Sequence, residues 1–286
     1  MKRKLIKFGK KAAVLLRHQP AVFFKKASAN ILLPFFRNDA CEISVNGALF
    51  KIEPALGPMM KEMRYGVYEL ELTSLLKKYI RKGDVCVDVG ANIGYISAFM
   101  LGLVGKSGAV HSFEPVPEYY DRLVEVKRNN VELSLNVNTV ALGETEGTYQ
   151  ICVSGRSNIG WNTLVPGFMS EDAVEKKIDI PVKRLDDYLT ENDISSVRLI
   201  KIDTEGFELP VLKGLEKYLN TCTMLPILIV EIAPTAYPKL NRSLDELADY
   251  TENFGYEAVD VTTRRHIDLR TLQTTTNVVL LNPNFH

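Results

Sequence analysis

The run Val85-Cys-Val-Asp-Val-Gly-Ala-Asn-Ile-Gly-Tyr95 constrains the fold of this chain more than any other segment. An apolar stretch interrupted by one acid, Asp88, leads into a turn bearing Gly90 and Gly94, and an apolar helical pattern opens directly behind it. A strand that feeds a helix through such a turn is the building unit of an open α/β sheet, whose ligands bind at the carboxyl ends of the strands. The flanking sequence keeps the same rhythm. A helix is predicted over 69–80, with Leu72, Leu75, Leu76, Tyr79 and Ile80 on one face and Gly83 as its stop. The glycine turn opens a helix over 93–103. Then come a strand at 109–113, a helix at 118–129 and a strand near 136–141. After an interruption, helices at 185–190, 208–219 and 244–254 alternate with strands at 198–202 and 225–232, and strands at 257–261 and 277–281 follow. Seven strands interleaved with helices predict a largely parallel sheet covered on both faces.

Two regions depart from the alternation. Residues 143–183 hold Gly143, Gly147, Gly155, Gly160 and Gly167 and strand-like pieces at 148–153 and 178–182, which reads as an excursion from the sheet, part hairpin and part mobile loop. Its Ser157, Asn158, Trp161 and Asn162 are residues of the kind that line a ligand mouth. At the other end of the chain, residues 1–38 contain ten basic residues and no acid. The remaining 25 basic residues face all 35 acids, a net of about −10. Apolar residues recur at helical spacing in the basic segment. It therefore reads as a basic amphipathic extension suited to an anionic membrane surface, to a polyanion, or to packing on its own acidic domain. A hairpin at 41–52, turning at Asn46-Gly47, completes an extension over 1–60 ahead of a main domain over 61–286. Four scattered cysteines without a Cys-x-x-Cys pair argue against a disulfide framework or zinc ribbon, and no apolar run reaches the length of a spanning helix. The expected setting is cytoplasmic, with peripheral contact at the inner membrane surface.

The chemistry concentrates at predicted strand ends. A dinucleotide site asks for a Gly-x-Gly core that seats a pyrophosphate on the helix N-terminus. Gly90-Ala-Asn-Ile-Gly94 lacks that core, and Asp88 would repel the anion. An acid beside the turn suits a cofactor carrying an ammonium and a sulfonium, so S-adenosylmethionine fits better than a nicotinamide dinucleotide. Glu114, 24 residues after Gly90, ends the second strand and is available for a ribose. Lys201-Ile-Asp-Thr-Glu-Gly-Phe-Glu208 gathers Asp203, Glu205 and Glu208 at the end of the fourth core strand, and Ile229-Val-Glu-Ile-Ala-Pro234 adds Glu231 at the fifth. Carboxylates crowded at one sheet edge are costly unless they share protons, bind a cation or face a polar ligand. Asp203, Glu205 and Glu231 are candidates for a general base, with a divalent metal on the same three as the less favoured use. His111 reads as structural and His266 as a surface residue, while Arg264 and Arg265 are candidates for holding an anionic substrate.

VDVGANIGYIS at 87–97, FEP at 113–115, VALG at 140–143, RLDDYL at 184–189, KIDTEGFE at 201–208 and VEIAP at 230–234 together resemble the FkbM family of S-adenosylmethionine-dependent methyltransferases. Gly66-x-Tyr68-Glu69 is similar as well, and the resemblance covers residues 65–262. It implies a seven-stranded, Rossmann-like class I methyltransferase sheet whose last strand is antiparallel. It also implies O-methylation of hydroxyls in sugars, glycan precursors or related small molecules, of the kind found in polysaccharide biosynthesis. Carried over residue by residue, it implies that Asp88, Gly90, Asn92 and Gly94 meet the methionine end of the cofactor. Glu114, followed by Pro115, holds the ribose hydroxyls, Ala141 and Leu142 lie at the adenine edge, and Glu69 and Thr73 close over the methionine. Asp203 and Glu205 fall where the methyl departs. The competing readings are an RNA or protein methyltransferase and a non-catalytic, membrane-associated cofactor-binding module. The acidic main domain disfavours a nucleic-acid groove.

Overall fold

The computed structural model describes residues 12–33, 39–155 and 160–283. Helix α1 (Pro20–Leu32) precedes a hairpin of β1 (Cys41–Val45) and β2 (Ala48–Ile52), then helices α2 (Met59–Arg64) and α3 (Leu70–Tyr79). The α/β body follows: β3 (Val85–Val89), α4 (Tyr95–Val104), β4 (Ala109–Phe113), α5 (Pro117–Asn129) and β5 (Ser134–Asn138). Next come β6 (Ala141–Leu142), β7 (Gly147–Ser154), β8 (Val174–Lys183) and α6 (Leu185–Glu191). The chain continues through β9 (Leu199–Ile202), α7 (Glu208–Lys213), α8 (Glu216–Thr221), β10 (Ile227–Ile232), α9 (Leu244–Asn253), β11 (Glu257–Asp260) and β12 (Thr276–Leu281).

Seven strands pair in the order β11-β12-β10-β9-β3-β4-β5. β5, β4, β3, β9 and β10 are mutually parallel, and β12 runs antiparallel to both of its neighbours. This is the class I methyltransferase sheet, with its antiparallel last strand inserted beside β10. The central strands are short and rich in Val, Ile and Leu, buried on both faces as a doubly covered parallel sheet requires, with Asp88 and Lys201 as buried charged exceptions. One core layer packs α6, α7, α8 and α9 against the sheet through Leu185, Leu212, Leu219 and Leu247. The opposite layer packs α3 and α4 through Leu72, Leu76, Met100 and Leu101. The hairpin is part of that second layer, since Val45, Ala48, Phe50 and Ile52 are buried in it.

Three sequence expectations are corrected. The predicted helix over 208–219 is two helices, α7 and α8. The break falls where Gly214 approaches Gly143 so closely that a Cβ there would stand 2.1 Å from the Gly143 carbonyl oxygen. The strand expected near 136–141 ends at Asn138; Ala141 and Leu142 leave the main sheet and pair with β8. The excursion is more regular than a mobile loop, because β7 and β8 form a long antiparallel pair and, with β6, a three-stranded sheet around Val116, Ile151, Val153 and Ile180. Ser157 and Asn158 lie outside the described residues, as do the basic residues Lys2, Arg3, Lys4, Lys7, Lys10, Lys11 and Arg37.

Phe50 is 2% exposed. Phe50→Ala is expected to lower the unfolding free energy by about 3–5 kcal/mol in one cooperative denaturant transition. A detachable hairpin would instead leave the main transition where it is.

Candidate active site

A cleft of about 290 Å³ opens above the carboxyl ends of β3, β4, β9 and β10. Its floor is the turn after β3. Gly90 has φ +71°, and a Cβ on it would stand 1.8 Å from the Asp203 carbonyl oxygen, so a side chain cannot be accommodated. The Gly90 and Ala91 amides both donate to the Phe113 carbonyl, and the Asp203 amide donates to that of Val89. These bonds bring the ends of β3, β4 and β9 together. Gly94 caps α4, the helix that opens behind the turn.

Glu114 stands at one end of the cleft, with Pro115, Ala141, Leu142 and Ile151 around it. Its Oε2 accepts from the Asn92 amide at 2.8 Å and its Oε1 from the Val116 amide at 2.9 Å. Burial pushes its pKa up to about 7, against the pull of those two amides. Asn92, with φ +52°, holds its amide toward this carboxylate. Glu69 lines the wall beside Tyr68, at the start of α3.

At the other end, Asp203, Glu205 and Glu231 place carboxylate oxygens within 4.8 Å of one another. The register explains the grouping: Val230 of β10 pairs with Ile202 of β9, so the residues that follow both, Glu231 and Asp203, leave adjacent strands side by side. Burial raises Glu205 to about 8, with the charges of Asp203 and Glu208 adding to it. Glu231 is raised chiefly by the charge of Asp203, then by burial and Glu205, and Asn277 Nδ2 donates to its Oε1 at 3.4 Å. The cluster can share protons, and its all-oxygen donor set would also accept a hard divalent cation. Glu208 turns inward instead. It is fully buried, its Oε1 accepts from the Gly206 amide at 2.7 Å and from Thr204 Oγ1 at 3.3 Å, and burial raises it to about 7.

Sequence reasoning missed Lys201, which lines the cleft although it lies in the middle of the apolar strand β9. Its Nζ donates to the Gly90 carbonyl at 3.0 Å and lies 3.4 Å from Asp88 Oδ1 and 3.3 Å from Asp203 Oδ2. Burial alone would lower its pKa, but the two carboxylates outweigh burial and hold it above its ordinary value. A lysine within Leu-Ile-Lys-Ile was the available signal, because a buried ammonium demands carboxylate partners.

Three expected cofactor residues lie off the cleft. Gly94 turns toward α5, where a Cβ on it would stand 2.8 Å from Leu123 Cδ2. Asp88 is fully buried beneath the turn, where its Oδ2 accepts from Ser97 Oγ at 2.6 Å and its Oδ1 faces Lys201. Its charge is directed into the protein and not toward a ligand. Thr73 is also buried, with its hydroxyl donating to the Leu70 carbonyl within α3. The alternative bases are elsewhere too. His111 Nδ1 meets the Tyr188 hydroxyl at 2.8 Å and burial lowers it to about 4, while His266 is exposed beside Glu257. Arg264 donates to Gln19 Oε1 at 3.2 Å, away from the cleft. Trp161 and Asn162 do line it. Asn162 accepts from the Ser154 amide, and the neighbouring Thr163 hydroxyl donates to the Glu205 carbonyl at 2.7 Å, tying this segment to the carboxylate turn.

The family model for the methyltransferase FkbM domain matches residues 88–258, and the chain belongs to that family. Among curated relatives, methyltransferase sdnD of Sordaria araneosa is 32% identical, over 46% of this chain and 60% of its own length. Hexuronic acid methyltransferase AglP of Haloferax volcanii is 26% identical, over 60% and 65%. The 31-O-demethyl-FK506 methyltransferase FkbM of Streptomyces tacrolimicus is 29% identical, over 48% and 61%. The chain thus spans 60–65% of the length of these relatives. Among solved structures, fibrillarin of Aeropyrum pernix with bound S-adenosyl-L-methionine aligns with a TM-score of 0.43 at 12% identity, covering 87% of this chain and 86% of that one.

Glu205, Glu208, Glu231 and Glu114 all hold protons more tightly folded than unfolded. Where the native state binds more protons, stability falls as pH rises. Melting temperature is therefore expected to fall between about pH 4.5 and about pH 9, the window set by the ordinary value and the raised values up to that of Glu231. Glu231→Gln should flatten that slope in thermal scans across pH; an unchanged slope would mean that the cluster does not hold the extra proton.

Proposed function

We propose that this chain is an S-adenosylmethionine-dependent O-methyltransferase that acts on a hydroxyl of a sugar, a glycan precursor or a related small molecule, with 61–286 as the methyltransferase domain and 1–60 as its extension. The observation that carries the reading is the layout of one cleft. It has a glycine cradle that a Cβ would fill, a buried carboxylate held by two backbone amides at one end, and a carboxylate cluster at the other. The bound cofactor supplies a methyl group on a sulfonium, already activated for displacement.

This chain's residues supply the rest. Glu114 accepts the two ribose hydroxyls, and Pro115, Ala141 and Leu142 give the adenine an apolar seat. Gly90 and Asn92 bring backbone close to the methionine portion, and Glu69 covers that portion from α3. Asp88 acts as a positioning residue: it holds Lys201, and Lys201 in turn holds the Gly90 carbonyl and Asp203. Asp203 faces the sulfonium end, and Glu205 or Glu231 takes the proton from the acceptor hydroxyl. A carboxyl with a raised pKa suits that transfer near neutral pH. No covalent enzyme intermediate is needed, since holding the reactants in line supplies about 7–11 kcal/mol of the barrier reduction. The relatives named as a hexuronic acid methyltransferase and a 31-O-demethyl-FK506 methyltransferase support a hydroxyl-bearing acceptor. The basic arm is assigned to peripheral membrane contact.

Calorimetry with S-adenosylmethionine and S-adenosylhomocysteine tests the cofactor. Micromolar binding is expected, and Glu114→Ala should weaken it about 10- to 100-fold, the worth of charge-assisted hydrogen bonds to a diol. Absence of binding by the intact chain rejects the reading. In an acceptor screen, Glu205→Gln or Glu231→Gln should lower kcat by about 10²–10⁴-fold while changing cofactor affinity little. The parent rate should persist in excess chelator, and its loss would assign the cluster to a metal.

A further inference from the structure

Helix α1 presents apolar side chains outward. Phe24 is 63% exposed, Ile31 69% and Leu32 46%, and these positions share one helical face with Ser28. The opposite face is already used. Val22 and Ala29 pack on Val67 and Leu70, Lys26 pairs with Glu71 at 2.5 Å, and Lys25 Nζ donates to the Gly66 carbonyl at 3.0 Å. The helical stretch at 12–18 repeats the pattern, burying Leu15 and exposing Val14 and Leu16. A helix that covers a globular core normally turns its polar face to water. This one is held on the body by one face and leaves a second, apolar face free of the core.

Charge and shape identify the occupant. Residues 1–38 carry ten basic side chains and no acid, so the partner is anionic. The stripe is one helix wide and convex, and a stable dimer needs about 800 Å² from each partner. An anionic bilayer has neither restriction, because it accepts a single amphipathic helix lying flat, apolar side chains down and basic residues among the headgroups. At 13 residues α1 is too short to cross, and among the described residues no helix is long and apolar enough to do so.

We propose that the outward stripe of α1 docks this protein on an anionic bilayer surface and holds the cleft beside the headgroups. The second half follows from the packing and rests on the methyltransferase reading of the cleft. α1 sits on Val67 and Leu70, and the two residues between them, Tyr68 and Glu69, line the cleft wall. An acceptor reached in this posture is one that the membrane presents, such as a glycan precursor on a lipid carrier.

Cosedimentation of the full chain with vesicles of phosphatidylcholine alone, or of phosphatidylcholine with phosphatidylglycerol, tests the docking. The chain is expected to pellet with the anionic vesicles at low salt, to be released at high salt, and to ignore the neutral ones. Phe24→Glu with Ile31→Glu should cut the bound fraction about tenfold or more, and Ile31→Glu alone should cut it partly. Both variants should keep the parent's far-ultraviolet circular dichroism and S-adenosylhomocysteine affinity. No pelleting at low salt, equal binding to both vesicles, or undiminished binding by the double variant overturns the proposal. A vesicle-independent dimer that the double variant abolishes also overturns it, assigning the stripe to a second copy. Vesicle binding without S-adenosylhomocysteine binding supports the docking and rejects the cofactor reading alone.

Discussion

The buried ion pair between Asp88 and Lys201 is the constraint on which the cleft depends. The two residues face each other across the β3–β9 register, and Lys201 extends to the Gly90 carbonyl and to Asp203. A buried pair of this kind seldom stabilises a fold beyond what apolar residues of the same volume would do, whereas removing one partner is strongly destabilising. Its value here is geometric. One ammonium fixes the glycine turn, the end of β9 and the first carboxylate of the cluster relative to one another. Ser97 and Ser112 complete the network below, so that the turn rests on polar groups whose positions are set by the sheet.

With the floor fixed, the cleft divides into two electrostatic halves. Around Glu114 there is one carboxylate, restrained by backbone amides and flanked by apolar side chains. Around Asp203 there are three, and burial together with the charge of Asp203 raises the pKa values of Glu205 and Glu231. The arrangement separates recognition from proton transfer along one sheet edge, with the glycine cradle between them. The excursion sheet reaches over both halves, because Ile151 and Asn162 line the cleft and Thr163 is bonded to the Glu205 turn.

Much of this was legible in the sequence, for identifiable reasons. Parallel strands buried on both faces are continuous apolar runs, and helices between them repeat near 3.6 residues, so the order of the body could be read directly. The glycine turn and the acids at strand ends were legible because those residue types are costly anywhere else. All but one of the misreadings share a cause, a contact between segments distant in the chain; Thr73, bonded to Leu70 three residues back, is the local exception. The gap between α7 and α8 follows from the approach of Gly214 to Gly143. Asp88 reads as a ligand-facing acid until Lys201 is seen opposite it in the neighbouring strand. Thr73 lies on the expected helix, but its hydroxyl points back to the Leu70 carbonyl. The apolar stripe of α1 was visible as periodicity, yet which face of that helix met the body was not.

The strand order has a consequence for how the molecule is made. β11 is bonded to β12 and to no other strand of the main sheet, while β12 is the one that meets β10. During vectorial synthesis, 257–260 therefore emerge with nothing to pair with, and β10 is an open edge until 276–281 arrive. An open edge of Ile, Leu and Val backbone invites pairing with another nascent chain. The interval between these two strands is thus a window of vulnerability on the ribosome, one that the finished molecule shows no trace of.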